Sequence, residues 1–289
     1  MRGDRRLRRS YHEAMLEAKR SIIDERKRLG AQYLQENPDW VRRSEGVLTS
    51  DGLGIADHSE VPWMQETLAM AQSIVADRAG RENPSKGSLE FFASGKNAFG
   101  PDSPVLQLAL SPAFLVPVIS YFGMLPVLFS MDISRASAKE LLTATSHLLH
   151  LDPEDVTQLK VFTYINGADR DIAFHAIPAP YSERLADHLG YSVGRVTDER
   201  ACEILGGDRA VAAPGPPGTT IFCDTNRCFH FGGRPGRTHR DMLTFVYALP
   251  TSTWFPQPGG DGERRNLTPL LKADPSKAYW NALIGEDLV

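Results

Sequence analysis

Cysteine is scarce in this chain. Only Cys202, Cys223 and Cys228 occur, an odd number that matches neither a CxxC nor a zinc-finger spacing. A disulfide framework is thereby excluded, and a reducing, cytoplasmic setting is expected. No run of 18 or more apolar residues exists, so no transmembrane helix is expected. The basic opening stretch MRGDRRLRRSYHEAML lacks the continuous apolar segment of a secretory signal. Nor is there an excess of positive charge. The 32 Lys and Arg residues stand against 36 Asp and Glu, a net charge of −4, so nothing drives the whole chain toward nucleic acid or an anionic membrane. What is present is ordinary for a globular protein, 42% hydrophobic and 24% charged residues over 289 positions. That length suits one elaborated β-barrel or sandwich with a buried site.

The first half reads as helical. Over residues 4–35, Leu7, Tyr11, Met15, Ala18, Ile22 and Leu29 fall on one stripe among Arg and Lys, the pattern of a solvated helix packed across a domain. Residues 61–80 suggest a second helix, which DRAGREN interrupts. SPAFLVPVISYFG reads as a third, with Ser111 as N-cap, Pro112 in the first position, Gly123 at the end and a kink or delay expected at Pro117. After Gly123 the period changes to two. Val127, Phe129, Met131 and Ile133 alternate with Leu128, Ser130 and Asp132. Further strands are expected in QLKVFTYIN from Gln158, TTIFCD from Thr219, RCFHFGG and DMLTFVYAL. The stretch 178–213 is expected to carry helices near Ser182–Leu189 and Asp198–Leu205, and its length marks it as a lid or binding insertion.

Histidine is also sparse, eight residues in all, yet HLLHLDPED holds two of them followed by an aspartate. If a strand runs through this stretch, His150 and Asp152 share a face and His147 points the other way. An imidazole beside a carboxylate is two-thirds of a facial 2-His-1-carboxylate triad, which suits non-haem Fe(II) because three positions remain open for substrate and O2. The third ligand must come from a distant strand. His12 and His58 lie in the helical layer and His188 in the insertion. His175 and His239 remain candidates, but His230 is the best placed, in a short apolar strand flanked by Gly232 and Gly233. Ten residues later, Arg240 opens the final strand, where its guanidinium is suited to a bidentate hold on the carboxylate of an α-keto acid. A Cys223–Cys228–His230 zinc site is disfavoured by its x4 spacing and by Cys223 belonging to the preceding strand. Arg227, Arg234, Arg237 and Arg240 give this region a basic character, fitting either an anionic substrate such as a CoA ester or a solvated loop.

The segments HLDPEDVTQLKVFTYI and GPPGTTIFCDTNRCFHFGGRP…RDMLTFVY resemble the phytanoyl-CoA dioxygenase-like branch of the Fe(II)/2-oxoglutarate-dependent oxygenases, over roughly residues 111–256. The resemblance implies an α+β chain with a mainly β core. That core would be a double-stranded β-helix (a cupin-like jelly-roll) with N-terminal and flanking helices and a helical lid insertion. It also implies iron on His150, Asp152 and His230, with Arg240 on the distal carboxylate of 2-oxoglutarate. The expected organisation is a single oxygenase domain over 1–289: a helical layer to 125, the jelly-roll over 126–256 and a tail over 257–289. The expected reaction oxidises a small-molecule substrate with O2 and releases succinate and CO2. Ala179-Pro180-Tyr181 stands where relatives often carry Gly-Ser-His, which puts the substrate in question more than the iron. The presence of Asp152 argues against the halogenating relatives. Two rival readings are a cupin-like metalloenzyme that does not use 2-oxoglutarate and a non-enzymatic jelly-roll binding protein.

Overall fold

The computed structural model describes residues 5–78, 89–94, 98–136, 147–152, 155–190, 194–232, 239–252, 278–283 and 285. The N-terminal helical stretch is broken once, at Lys19, into α1 (Arg5–Ala18) and α2 (Arg20–Glu36). These are followed by α3 (Pro38–Arg43), β1 (Leu53–Asp57), α4 (Met64–Arg78) and β2 (Leu89–Ser94). The break expected in DRAGREN begins where α4 ends, and residues 79–88 lie outside the described residues. Two further helices follow, α5 (Pro104–Ala109) and α6 (Pro112–Phe122).

Helix α6 starts and stops where expected, although the buried Ser111 hydroxyl makes no capping bond. Ser111 is extended ahead of Pro112, and Gly123 closes the helix at φ 68°, a left-handed conformation that a residue without Cβ adopts at little cost. Pro117 does not end it. Every residue from Ala113 to Ile119 is buried, so packing on all sides outweighs the hydrogen bond that proline cannot make. The basic α2 is not simply a solvated face either. Arg26 is fully buried and donates to the carbonyls of Leu125 and Pro126 at 3.1 and 3.0 Å, and to that of Ala282. It thus ties α2 to the end of the α6 turn and to the last helix, α9 (Ala278–Leu283).

The strands after Gly123 are β3 (Val127–Ala136), β4 (Gln158–Tyr164), β5 (Phe174–Ala176), β6 (Val211–Ala213), β7 (Thr219–Asp224), β8 (His230–Phe231) and β9 (Arg240–Ala248). Six form an antiparallel sheet in the order β1-β7-β4-β9-β3-β2, and three form a smaller antiparallel sheet, β6-β5-β8. Adjacent residues go to opposite cores, and residues two apart share one. Leu159, Val161, Phe222, Leu243, Phe245 and Tyr247 pack against the helices, whereas Phe162, Tyr164, Ile221, Cys223 and Met242 face Phe174, Ala176 and Ala213 of the small sheet. The simple alternation expected in β3 fails at one point. A register shift between Leu128 and Ser130 sends Leu128 to the helix side with Met131 and Ile133, and puts Phe129 beside Val246 and Ala248.

Between β5 and β6 run α7 (Ala179–His188) and α8 (Asp198–Leu205). The insertion is helical as expected. Leu185, Ala186, Ala201 and Leu205 form a third cluster with Leu149, Ile177, Phe229 and Phe231, on the face of the small sheet turned away from the large one. The tail returns to the core through Ala282 and Leu283, and Tyr279 meets the Tyr33 ring edge-on at 5.5 Å. No helix among the described residues is long and apolar enough to cross a membrane.

Candidate metal centre

His150 and His230 exchange backbone hydrogen bonds, N–H to carbonyl, at 3.1 and 3.0 Å, and their rings lie 4.4 Å apart. The expected continuous strand through His150 and Asp152 is not formed. His150 makes a single bridge to β8, and Asp152 is fixed separately. Its N–H donates to the Thr225 carbonyl at 2.8 Å, and its own carbonyl accepts from Asn226 Nδ2 at 2.8 Å. The turn supplying those partners is built on Asp224, a fully buried carboxylate. It accepts from Tyr121 Oη at 2.8 Å, from the Thr157 hydroxyl, and from the N–H groups of Gln158 and Asn226 at 3.3 and 3.2 Å. Burial nevertheless pushes the Asp224 carboxyl up from its ordinary pKa. Sequence reading passed over Asp224. An aspartate ahead of Thr-Asn is the only local signal, and it is a turn signal.

The side chains then converge. His150 Nε2 and His230 Nε2 lie 3.9 and 3.8 Å from Asp152 Oδ1, and among the described residues this is the one cluster of three metal-capable groups, with no ligand pair further apart than 4.8 Å. A first-row ion bonded at about 2.0–2.2 Å to each would need them roughly 3–4.4 Å apart. A small contraction therefore suffices. Both rings are held for the purpose. His150 Nδ1 lies 2.9 Å from the Leu148 carbonyl and His230 Nδ1 3.0 Å from that of Cys228. A carbonyl only accepts, so each Nδ1 carries the proton and each Nε2 presents a lone pair to the common centre. Burial and the neighbouring His150 push the His230 pKa down to about 3, leaving it a neutral donor at physiological pH. Burial opposes the charge of Asp152, but the Lys160 ammonium at 2.6 Å outweighs it and holds the carboxyl below its usual range. Lys160 is the residue at this centre that sequence reading missed. Its register opposite Val246 and Cys223 places it on the inner face of β4, but nothing in QLKVFTYIN marks it as more than a strand lysine.

Arg240 lies on the same inner face, at the start of β9. It is 3% exposed, and Nη1 donates to the Ile172 carbonyl at 3.0 Å, while Nε has no partner. Burial lowers its pKa, and no carboxylate among the described residues pairs with it. The contrast with the next residue is sharp, since Asp241 and Arg135 form a two-bonded ion pair at 2.7 and 3.1 Å. Phe174 stacks on the His230 ring at 5.6 Å and packs on Phe162 at 4.8 Å, and its N–H donates to Tyr164 Oη at 2.9 Å. Phe162, Tyr164, Phe174 and Met242 thus make an apolar wall linking the triad to the β4–β9 region that holds Arg240.

The other candidates fall away. His175 pairs with Phe231 across β5 and β8, and its ring stacks on Phe231 at 4.6 Å on the face turned from the triad. His147 and His239 are not members of the cluster. Cys223 and Cys228 are free, Cys228 Sγ points to the carbonyls of Asp51 and Gly52, and burial pushes the Cys223 thiol well up. Arg227 is bound to Glu183 at 3.1 Å and to Tyr121 at 2.8 Å, so it is a structural cation of the turn. Gly233, Arg234 and Arg237 lie outside the described residues.

Comparison with known proteins gives a fold. No family model and no curated protein matches the chain. Among solved structures, the epimerase SnoN from nogalamycin biosynthesis, in complex with Fe3+, alpha ketoglutarate and nogalamycin RO, superposes with a TM-score of 0.53 at 16% identity, covering 82% of this chain and 97% of SnoN. EctD from S. alaskensis, in its apoform, gives 0.50 at 16% identity, over 77% of this chain and 83% of EctD. The two antiparallel sheets with their flanking helices are thus the double-stranded β-helix of this class of structure.

Proposed function

We propose that this chain is an Fe(II)- and 2-oxoglutarate-dependent oxygenase acting on a small molecule. His150, Asp152 and His230 would hold the metal, and Arg240 the distal carboxylate of 2-oxoglutarate. The observation that carries the reading is the pairing of a preorganised His-Asp-His face with a buried guanidinium that has no counter-ion. A buried cation left unpaired costs several kcal/mol, so it is expected only where an anion arrives to meet it. SnoN, which shares the fold, is described with iron and alpha ketoglutarate bound. The return of α9 to the core favours one oxygenase unit spanning the chain.

When bound, the metal and keto acid supply oxidation by O2 coupled to decarboxylation, with release of succinate and CO2. The protein's share is positional. The Leu148 and Cys228 carbonyls orient the two imidazoles, and Arg240 fixes the far end of the keto acid. The Phe162–Phe174 wall keeps water from the space between.

Anaerobic titration with Fe(II) and then 2-oxoglutarate tests this. The expected result is close to one iron per chain, followed by a metal-to-keto-acid charge-transfer band. His150→Ala and Asp152→Ala should lose the iron, since two ligands make an incomplete face, whereas His147→Gln and His175→Gln should keep it. Iron binding without the band, together with activity that ignores 2-oxoglutarate, would favour a cupin-like metalloenzyme. Absence of metal binding would leave a jelly-roll scaffold.

A further inference from the structure

Lys160 has no part in the facial triad, yet its ammonium makes the shortest polar contact that Asp152 has at the centre, 2.6 Å to Oδ2. A strand lysine normally lays its stem along apolar surface and sends its charge to water. This one does the reverse. Its register opposite Val246 and Cys223 directs it into the space between the sheets, and its side chain is only 23% exposed. The division of labour at the carboxylate is clear from distance. Oδ1 is the oxygen measured against both imidazole Nε2 atoms, at 3.9 and 3.8 Å, while Oδ2 is taken by Lys160.

We propose that Lys160 is a positioning residue of the metal centre: by occupying Asp152 Oδ2 it confines the carboxylate to donating Oδ1 alone. Carboxylates bind cations through one oxygen or both. A second Asp152 oxygen on the ion would consume one of the three open positions that a facial triad must keep for a bidentate keto acid and O2. An ammonium bonded to Oδ2 removes that option, and it also places a positive charge beside the incoming dianion. Both effects act on the cosubstrate. On the metal they act in the opposite sense, because Lys160 repels a cation and stabilises the free carboxylate.

That opposition separates positioning from simple support of the fold. The inference rests on the proposed metal centre, and its cosubstrate half on the 2-oxoglutarate reading, so the probes are divided. Cobalt(II) is bound to wild type, Lys160→Met and Lys160→Arg without 2-oxoglutarate, and the visible ligand-field bands report coordination. Fe(II) and 2-oxoglutarate are then titrated anaerobically. Lys160→Met should bind metal at least as tightly as wild type, with altered cobalt bands, and should weaken 2-oxoglutarate tenfold or more. Lys160→Arg, which keeps the charge and can donate to Oδ2, should restore the wild-type bands and most of the affinity. Loss of metal and cosubstrate together in Lys160→Met would make the residue a fold support and overturn the proposal. So would cobalt bands and 2-oxoglutarate affinity both equal to wild type. A wild type with no charge-transfer band, but with cobalt bands that change in Lys160→Met and return in Lys160→Arg, would sink the 2-oxoglutarate reading and leave the role of Lys160 standing. Failure of the wild type to bind either metal would remove both.

Discussion

At the scale of single residues, a charge or a ring counts for what its surroundings leave unsatisfied. Arg240 is the clearest instance, buried with one carbonyl partner and an idle Nε. A bidentate arginine–carboxylate contact in such a site is worth about 1.5–3 kcal/mol. Arg240→Ala should therefore keep iron and weaken 2-oxoglutarate by roughly 10- to 150-fold. Arg240→Lys should fall between, and the charge-transfer titration reads both directly. His58 makes a separate case, remote from the triad in sequence. Its ring lies against Phe114 and Phe222 at 5.6 and 5.8 Å, its Nδ1 has no partner, and burial pushes its pKa down to about 4. The unfolded chain protonates His58 below about pH 6.5, while the folded chain resists until about pH 4. Stability should thus fall as pH drops through that window, at up to about 1.4 kcal/mol per unit, and by less in total where water reaches the ring. Urea titrations at pH 7 and pH 5 should show a smaller loss for His58→Phe than for wild type.

At the scale of elements, legibility followed periodicity. α6, α8, β4, β7 and β9 were readable because their punctuation is local: Ser-Pro before α6, Gly123 after it, PGPPG before β7. The strands β1, β2, β5 and β6 were not anticipated, because each is at most six residues long and exists by pairing with a partner distant in sequence. The register shift in β3 was invisible for the same reason, since only the partner strand β9 defines it. The meeting of His150, Asp152 and His230 was legible from HxD and a late histidine. The backbone that holds Asp152 was not, because it is a turn braced by Asp224 and Asn226 and not the strand that parity suggested. Helix α2 gives the same lesson about charge. Arg26 looks like one more surface base in a basic helix, yet it is fully buried and bonds three carbonyls belonging to two other segments. Arg26→Met keeps the volume and the helix propensity but strands those carbonyls. It should destabilise the protein by about 2–4 kcal/mol in urea titration. Iron affinity of the folded fraction should not change, because Arg26 contacts the ends of helices and not the small sheet.

At the scale of the whole molecule, the proposed ligands come from two pieces of the chain that are distant in sequence. His230 belongs to the small sheet through β8, where it pairs with Ala176. His150 and Asp152 sit on a segment without a continuous strand, attached by the exchange with His230, by the backbone pair of Leu149 with Val196, by the packing of Leu149 and Leu151, and by the Thr225 and Asn226 contacts. A metal bound by all three would act as a cross-link between that segment and the small sheet, and it would bind the folded chain far better than the unfolded one. Linkage then fixes the size of the effect. At a hundredfold excess of free metal over Kd, the folded state gains about 2.7 kcal/mol. For 289 residues, one kcal/mol shifts Tm by roughly 1.5–2 °C, so a rise of about 4–5 °C is expected. Manganese(II) under anaerobic conditions avoids oxidation and can stand in for Fe(II) in calorimetry. The shift should vanish with chelator and be absent in Asp152→Ala, yet persist in Arg240→Ala, which leaves His150, Asp152 and His230 in place. Adding 2-oxoglutarate should raise Tm further in wild type and much less in Arg240→Ala. Equal stabilisation of wild type and Asp152→Ala by manganese would mean that the metal binds elsewhere, and the cross-link between the His150 segment and β8 would have to be abandoned.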